Sequence, residues 1–246
     1  MNPKEIKEIV KEAYSNIAEK KCGCQCGTTS SEEEIAKQIG YSSEEIKKFE
    51  DANLGLGCGN PLALSEIKEG DTVLDLGSGA GFDAFLAAKK VGEKGKVIGI
   101  DMTEKMISKA KENAKKYNIQ NTEFILGEID NLPLEENSID VVISNCVINL
   151  ATDKDKVFNE AHRVLKKGGK MYVSDIVLLE KLNEEQKKDE KLIYGCVAGA
   201  LQKEDYLSKI EKAGFKTKIL NENKDISKQQ YAGINLESLK VEGTKQ

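Results

Sequence analysis

Three features of the 246-residue sequence predict an α/β fold, a mostly parallel sheet with a late antiparallel hairpin. From Asp71 onward, short runs rich in Val and Ile alternate with amphipathic stretches, the pattern of buried parallel strands joined by crossover helices. A glycine-rich turn, Gly77-Ser78-Gly79-Ala80-Gly81, separates the first such run from the first such helix. Two strand-like segments then follow one another at the end of the sequence with no helix between them.

Taken in order, residues 1–20 read as a charged amphipathic helix with Ile6, Ile9, Val10, Ala13, Tyr14 and Ile17 on one side. A loop follows with Cys22, Cys24 and Cys26. Residues 30–53 read as helical, with Ser31 and Glu34 as a capping box and Ser42 or Ser43 as a second start. Pro61 is expected to open a short helix ending at Gly70. Strands are predicted at 72–76, 96–100, 122–126, 139–144 and 170–178, with helices at 82–91, 103–117 and 154–165 between them. In the second of these helices Met106, Ile107, Ala110, Ala114 and Tyr117 recur at helical spacing. Helices at 183–194 and 203–213 and strands at 215–220 and 236–244 complete the reading.

Composition narrows the function. Hydrophobic content of 39% with 32% charged residues fits a soluble globular chain, and no apolar run approaches the ~18 residues of a membrane span. A net charge of −5, no tryptophan and 5% aromatics supply neither a phosphate-tracking groove nor base-stacking platforms, so no nucleic-acid partner is expected. The first residues lack the apolar core of a secretory leader, which predicts a cytoplasmic protein whose six cysteines are kept reduced.

The turn after the first strand reads Asp75-Leu76-Gly77-Ser78-Gly79-Ala80-Gly81, and Asp101 closes the second strand. Glycines there let a ligand approach the backbone, and an acid at the end of strand two is placed for ribose hydroxyls. Dinucleotide enzymes show G-x-G-x-x-G, where a helix N-terminus receives a pyrophosphate. Here the spacing is G-x-G-x-G, and the Asp75 carboxylate would repel a pyrophosphate but suits a cationic amino group. The single histidine, His162, reads as structural.

D-x-G-x-G-x-G resembles the first motif of the class I methyltransferases, which have a Rossmann-like fold and use S-adenosylmethionine. Gly127-Glu128-Ile129-Asp130-Asn131-Leu132-Pro133 and Arg163-Val164-Leu165-Lys166-Lys167-Gly168-Gly169 extend the likeness. The resemblance implies that Gly77, Ser78, Gly79 and Asn145 line the methionine part and that Asp101 holds the ribose. It implies too that Met102, Glu128 and Ile129 border the adenine, with Asp75 and Gly81 completing the motif. Three parts follow: helices and cysteine loop at 1–60, a donor-binding core at 61–180, and a substrate-binding segment with the final strands at 181–246.

Leu56-Gly57-Cys58-Gly59-Asn60-Pro61, Ser144-Asn145-Cys146-Val147-Ile148-Asn149-Leu150 and Cys196 are similar to the arsenic(III) S-adenosylmethionine methyltransferases. That resemblance implies arsenite and methylarsenite as substrates, held by the thiolates of Cys58, Cys146 and Cys196. One of Cys22, Cys24 and Cys26 would be an auxiliary ligand, and glutathione or thioredoxin the thiol reductant. Cys58 is expected in an exposed turn, able to form a disulfide with a cysteine of the N-terminal loop. Two other readings stand beside this one: a quinone- or sterol-like methyltransferase with incidental cysteines, and a thiol-based metalloid-binding protein on the same fold.

Overall fold

Strand β1 (Thr72–Leu76) is the pivot of a seven-stranded sheet in the computed structural model, which describes residues 1–19, 31–226, 231 and 233–246. Cys22, Cys24 and Cys26 lie outside those residues. The order is β3 (Thr122–Leu126), β2 (Lys96–Asp101), β1, β4 (Ile139–Asn145), β5 (Leu165–Leu178), β7 (Leu236–Lys245) and β6 (Phe215–Asn223). Strands β1 to β5 are parallel, and β7 runs antiparallel to both β5 and β6, as the late hairpin required. The chain lays β2 and β3 on one side of β1 and then returns to lay β4 on the other. That reversal opens a crevice at the carboxyl ends of β1 and β4.

Period-two alternation explains the two-sided core. Val73, Val97 and Val141 face α4 (Phe82–Val91) and α5 (Glu104–Lys116), packed with Phe85 and Met106. Leu74, Leu76 and Val142 face the opposite layer, where α6 (Lys154–Val164) and α8 (Lys203–Lys212) contribute Phe158 and Tyr206. The sheet is therefore covered on both sides, which is why its strands are apolar runs.

The first helix, α1 (Pro3–Ala18), is capped by Asn2, and the capping boxes at Ser31 and Ser42 start α2 (Glu32–Gln38) and α3 (Ser43–Lys48). Three expectations are corrected. Residues 61–70 form turns, because the Asn60 side chain accepts from the Leu62 and Ala63 N–H groups at 2.9 and 3.0 Å and closes the backbone before a helix begins. The stretch 183–194 is split into a 3₁₀ turn, Gln186–Lys188, and α7 (Glu190–Tyr194), because Asp189 caps a new start there. Strand β5 begins five residues early, at Leu165, and the Lys-Lys-Gly-Gly stretch is taken up in a register shift against β4. No helix among the described residues is long and apolar enough to cross a membrane.

Candidate active site

A cavity fills the crevice, and the carboxyl ends of four strands build its floor. From β1 come Asp75, Gly77, Ser78 and Gly79; from β2 Asp101 and Met102; after β3 Glu128 and Ile129; from β4 Asn145 and Cys146. The turn after β1 is held by the Gly77 and Ser78 N–H groups donating to the Ile100 carbonyl at 2.8 and 3.0 Å. At Gly77 φ is +69°, and an added methyl would lie 2.4 Å from Val147 Cγ2, so the position needs glycine on both counts. Gly79, at φ +51°, has open space where a side chain would point, which leaves its backbone accessible to a ligand. Gly81 does not line the cavity. It is the N-cap of α4 and packs against Phe85.

Asp101 accepts the Gly79 N–H at 3.0 Å and the Thr103 N–H at 2.8 Å, so it ties the glycine turn to the end of β2. Burial raises its carboxyl, and those two N–H groups partly offset the rise. Asp75 is 3% exposed, and its Oδ2 has no hydrogen-bond partner among the described residues. Burial and then the neighbouring Asp83 and Asp101 push its carboxyl well above the ordinary range. Asp83, in the first turn of α4, lies in the same wall and is raised by burial to about 6. A pair of neighbouring carboxylates, Asp75 buried with an orphaned oxygen and Asp83 half-buried beside it, suits a cationic amino group.

Sequence reasoning missed several contributors. Tyr41 donates to Asp83 Oδ1 at 2.6 Å, and Asn145 Nδ2 reaches Tyr41 Oη at 3.0 Å and Asp83 Oδ2 at 3.1 Å. Helix α1 forms the roof with Lys7, Val10 and Tyr14, and Lys7 Nζ sits 2.5 Å from Glu128 Oε2 and 3.5 Å from Asp130 Oδ2. Nothing local in the sequence points to Tyr41. Asp83 had a signal, an acid two residues after the last motif glycine.

The three described cysteines converge from distant segments into one buried cluster with Val10, Leu150 and Ile176. Cys58 is 1% exposed, which corrects the exposed turn expected for it. The turn is drawn inward because the Cys58 N–H donates to Asn145 Oδ1 at 3.1 Å and its carbonyl accepts from Ser238 Oγ at 2.7 Å. Cys58 and Cys146 are joined as a disulfide, so the partner of Cys58 is a core cysteine where one from the N-terminal loop was expected. Cys196 Sγ donates to the Cys146 carbonyl at 2.7 Å, and Tyr14 Oη stands 3.9 Å from it. Of these three cysteines, Cys146 alone also lines the cavity. Both Cys146 and Cys196 have positive φ, +57° and +66°, which for a residue other than glycine costs about 1–3 kcal/mol.

Asp175 is the group beside the thiols that sequence reasoning passed over. One of its carboxylate oxygens and the sulfurs of Cys58 and Cys146 all lie within 4.8 Å of one another. It is fully buried, accepting from Asn149 Nδ2 at 3.0 Å and Tyr206 Oη at 2.8 Å, and burial raises its carboxyl to about 7. Nearby, burial lowers Lys154 to about 8 while its ammonium donates to the Ala151 carbonyl at 3.0 Å. An acid inside the apolar run of β5 was the available signal for Asp175.

Residues 67–214 match the methyltransferase domain family. The arsenite methyltransferase of Halobacterium salinarum is 44% identical over 227 residues, which are 87% of this chain and 58% of that protein. The human arsenite methyltransferase is 36% identical over 86% of this chain and 58% of its own length. The chain thus spans little more than half the length of these curated relatives. An arsenic(III) S-adenosylmethionine methyltransferase structure from Chlamydomonas reinhardtii superimposes with a TM-score of 0.66 at 35% identity, covering 85% of this chain and 72% of that one. The glycine turn, the acid pair, the crevice at the strand reversal and these similarities agree: the chain belongs to the class I methyltransferases and, among them, to the arsenic(III) S-adenosylmethionine methyltransferase family.

Proposed function

We propose that this chain methylates trivalent arsenic, with S-adenosylmethionine as donor and the thiolates of Cys58, Cys146 and Cys196 as the hold on the metalloid. The observation that carries the reading is the position of Cys146, at once a member of the cysteine cluster and part of the cavity wall. The names of the relatives support it.

When bound, S-adenosylmethionine supplies an electrophilic methyl group on a cationic sulfonium. Asp75 and Asp83 would receive its ammonium group and Asp101 its ribose hydroxyls, with Met102 and Ile129 beside the adenine. The backbone of Gly77, Ser78 and Gly79 allows close approach of the methionine part. Trivalent arsenic on three sulfurs is pyramidal and keeps a lone pair, so it is its own nucleophile and no general base is needed. His162 accordingly packs edge-on against Phe215 at 5.1 Å. The chain's contribution is orientation in a water-poor site walled by Val10, Val147 and Leu150, and such orientation lowers barriers by about 7–11 kcal/mol.

The disulfide defines a second requirement. Two electrons and two protons must reach Cys58 and Cys146 before arsenite can enter, a task for glutathione or thioredoxin in a reducing cytosol. One of Cys22, Cys24 and Cys26 is proposed as an auxiliary ligand that passes the metalloid inward.

The test is an assay of arsenite-dependent S-adenosylhomocysteine formation with the arsenical products speciated. Cys58→Ser, Cys146→Ser and Cys196→Ser should each abolish turnover while S-adenosylhomocysteine affinity, read by calorimetry, stays within about threefold. Retained turnover in all three would show that the thiols are incidental, as in a quinone- or sterol-like methyltransferase. Arsenite binding by a protein that never binds S-adenosylmethionine would instead favour a metalloid-binding protein.

A further inference from the structure

Asn145 stands between the donor cavity and the thiols, and its side chain is over-subscribed. Its Oδ1 accepts the Cys58 N–H at 3.1 Å. Its Nδ2 carries two hydrogens but faces three acceptors: the Gly59 carbonyl at 2.8 Å, Tyr41 Oη at 3.0 Å and Asp83 Oδ2 at 3.1 Å. Two of the four contacts hold the backbone at Cys58 and Gly59. The other two reach Asp83 and the Tyr41 hydroxyl that is itself bonded to Asp83. The turn packs directly on the amide, since a methyl at Gly57 would lie 2.7 Å from Asn145 Nδ2.

We propose that Asn145 is a positioning residue that makes donor binding and arsenic binding mutually reinforcing. When a cationic amino group satisfies Asp83, the amide no longer has to divide two hydrogens among three acceptors. One hydrogen then serves Tyr41 and the other stays on Gly59, so the Cys58 turn is fixed with its thiol toward Cys146. Linkage makes the effect reciprocal: arsenic held by the fixed turn raises donor affinity by the same factor. This inference rests on the function proposed above, because it assigns the amino group to the donor and the thiols to arsenic.

The experiment measures arsenite affinity with and without saturating S-adenosylhomocysteine. A trialkylphosphine present throughout keeps Cys58 and Cys146 as thiols and is itself oxidised to the phosphine oxide with oxygen from water. In the wild type the homocysteine compound should tighten arsenite binding by about 5- to 50-fold. In Asn145→Ala each ligand should still bind, with the coupling factor reduced below about twofold. A merely structural asparagine would weaken both ligands and leave that factor unchanged, and this result would overturn the inference. Tyr41→Phe keeps the ring against Phe82, whose centroid is 5.0 Å away, and decides the matter if Asn145→Ala does not fold. Lost coupling at an unchanged melting temperature supports the latch, and full coupling overturns it. A wild type that binds both ligands with no coupling sinks this inference alone, whereas one that binds no arsenite sinks the function reading beneath it.

Discussion

Asp101 shows what a single side chain does at this site, because both of its oxygens are already committed to the backbone that shapes it. Hydrogen bonds to a charged acceptor contribute about 1.5–3 kcal/mol each, so Asp101→Ala should lower S-adenosylhomocysteine affinity at least about tenfold by calorimetry. Unchanged affinity would remove Asp101 from the donor site. Residues such as Asp75, Gly77, Ser78, Gly79 and Asp101 were legible in the sequence because their role is local, a sharp turn at a strand end. Tyr41 was not, because it meets Asp83 across 42 residues and only the folded chain brings them together. The burial of Cys58 was hidden for the same reason: its turn looks polar, and the partners that draw it inward are Asn145 and Ser238.

Among the elements, the turn from β1 to α4 and the segment after β4 are interlocked through Gly77 and Val147. Gly77→Ala sets a methyl 2.4 Å from Val147 Cγ2 at a φ of +69°. Overpacking of this kind costs about 1–3 kcal/mol, which urea denaturation will show as a lower midpoint. Val147→Ala in the same chain should recover part of the loss, since the contacts with Cγ2 at 2.4 Å and Cγ1 at 3.0 Å are removed while the 2.6 Å contact with Cβ and the backbone part stay. A double variant no more stable than Gly77→Ala would assign the cost to the backbone and the Val147 Cβ contact, with no share left for the γ-methyls. Strands β1 and β3 match their predicted limits because short apolar runs between polar turns are unambiguous. The 61–70 and 183–194 stretches misled because side chains of Asn60 and Asp189 overrule periodicity at a single point.

For the molecule as a whole, the fold class was legible but the convergence of thiols was an expectation that required the sheet order. Buried acids tie global stability to pH. The folded-state value of Asp175, about 7, lies above its ordinary 3.8, so between those values the native state keeps a proton that the unfolded chain has released. Its contribution is complete below about pH 4 and is lost as pH rises through 7. Asp175→Asn should therefore flatten the decline in unfolding free energy across that window, measured by urea titration at a series of pH values. An unchanged slope would place the decline on other groups.

The bond between Cys58 and Cys146 spans 88 residues, and the segment it closes contains β1 to β4 with α4 and α5. The oxidised chain is thus a covalent ring carrying nearly the whole donor crevice on its circumference. Chain-entropy arithmetic gives a ring of that size about 4–5 kcal/mol of added resistance to unfolding. Toughness and competence are consequently opposed here. The form that best survives heat has no free sulfur at either end of the ring, and the form that the proposed function needs for a metalloid has surrendered the closure.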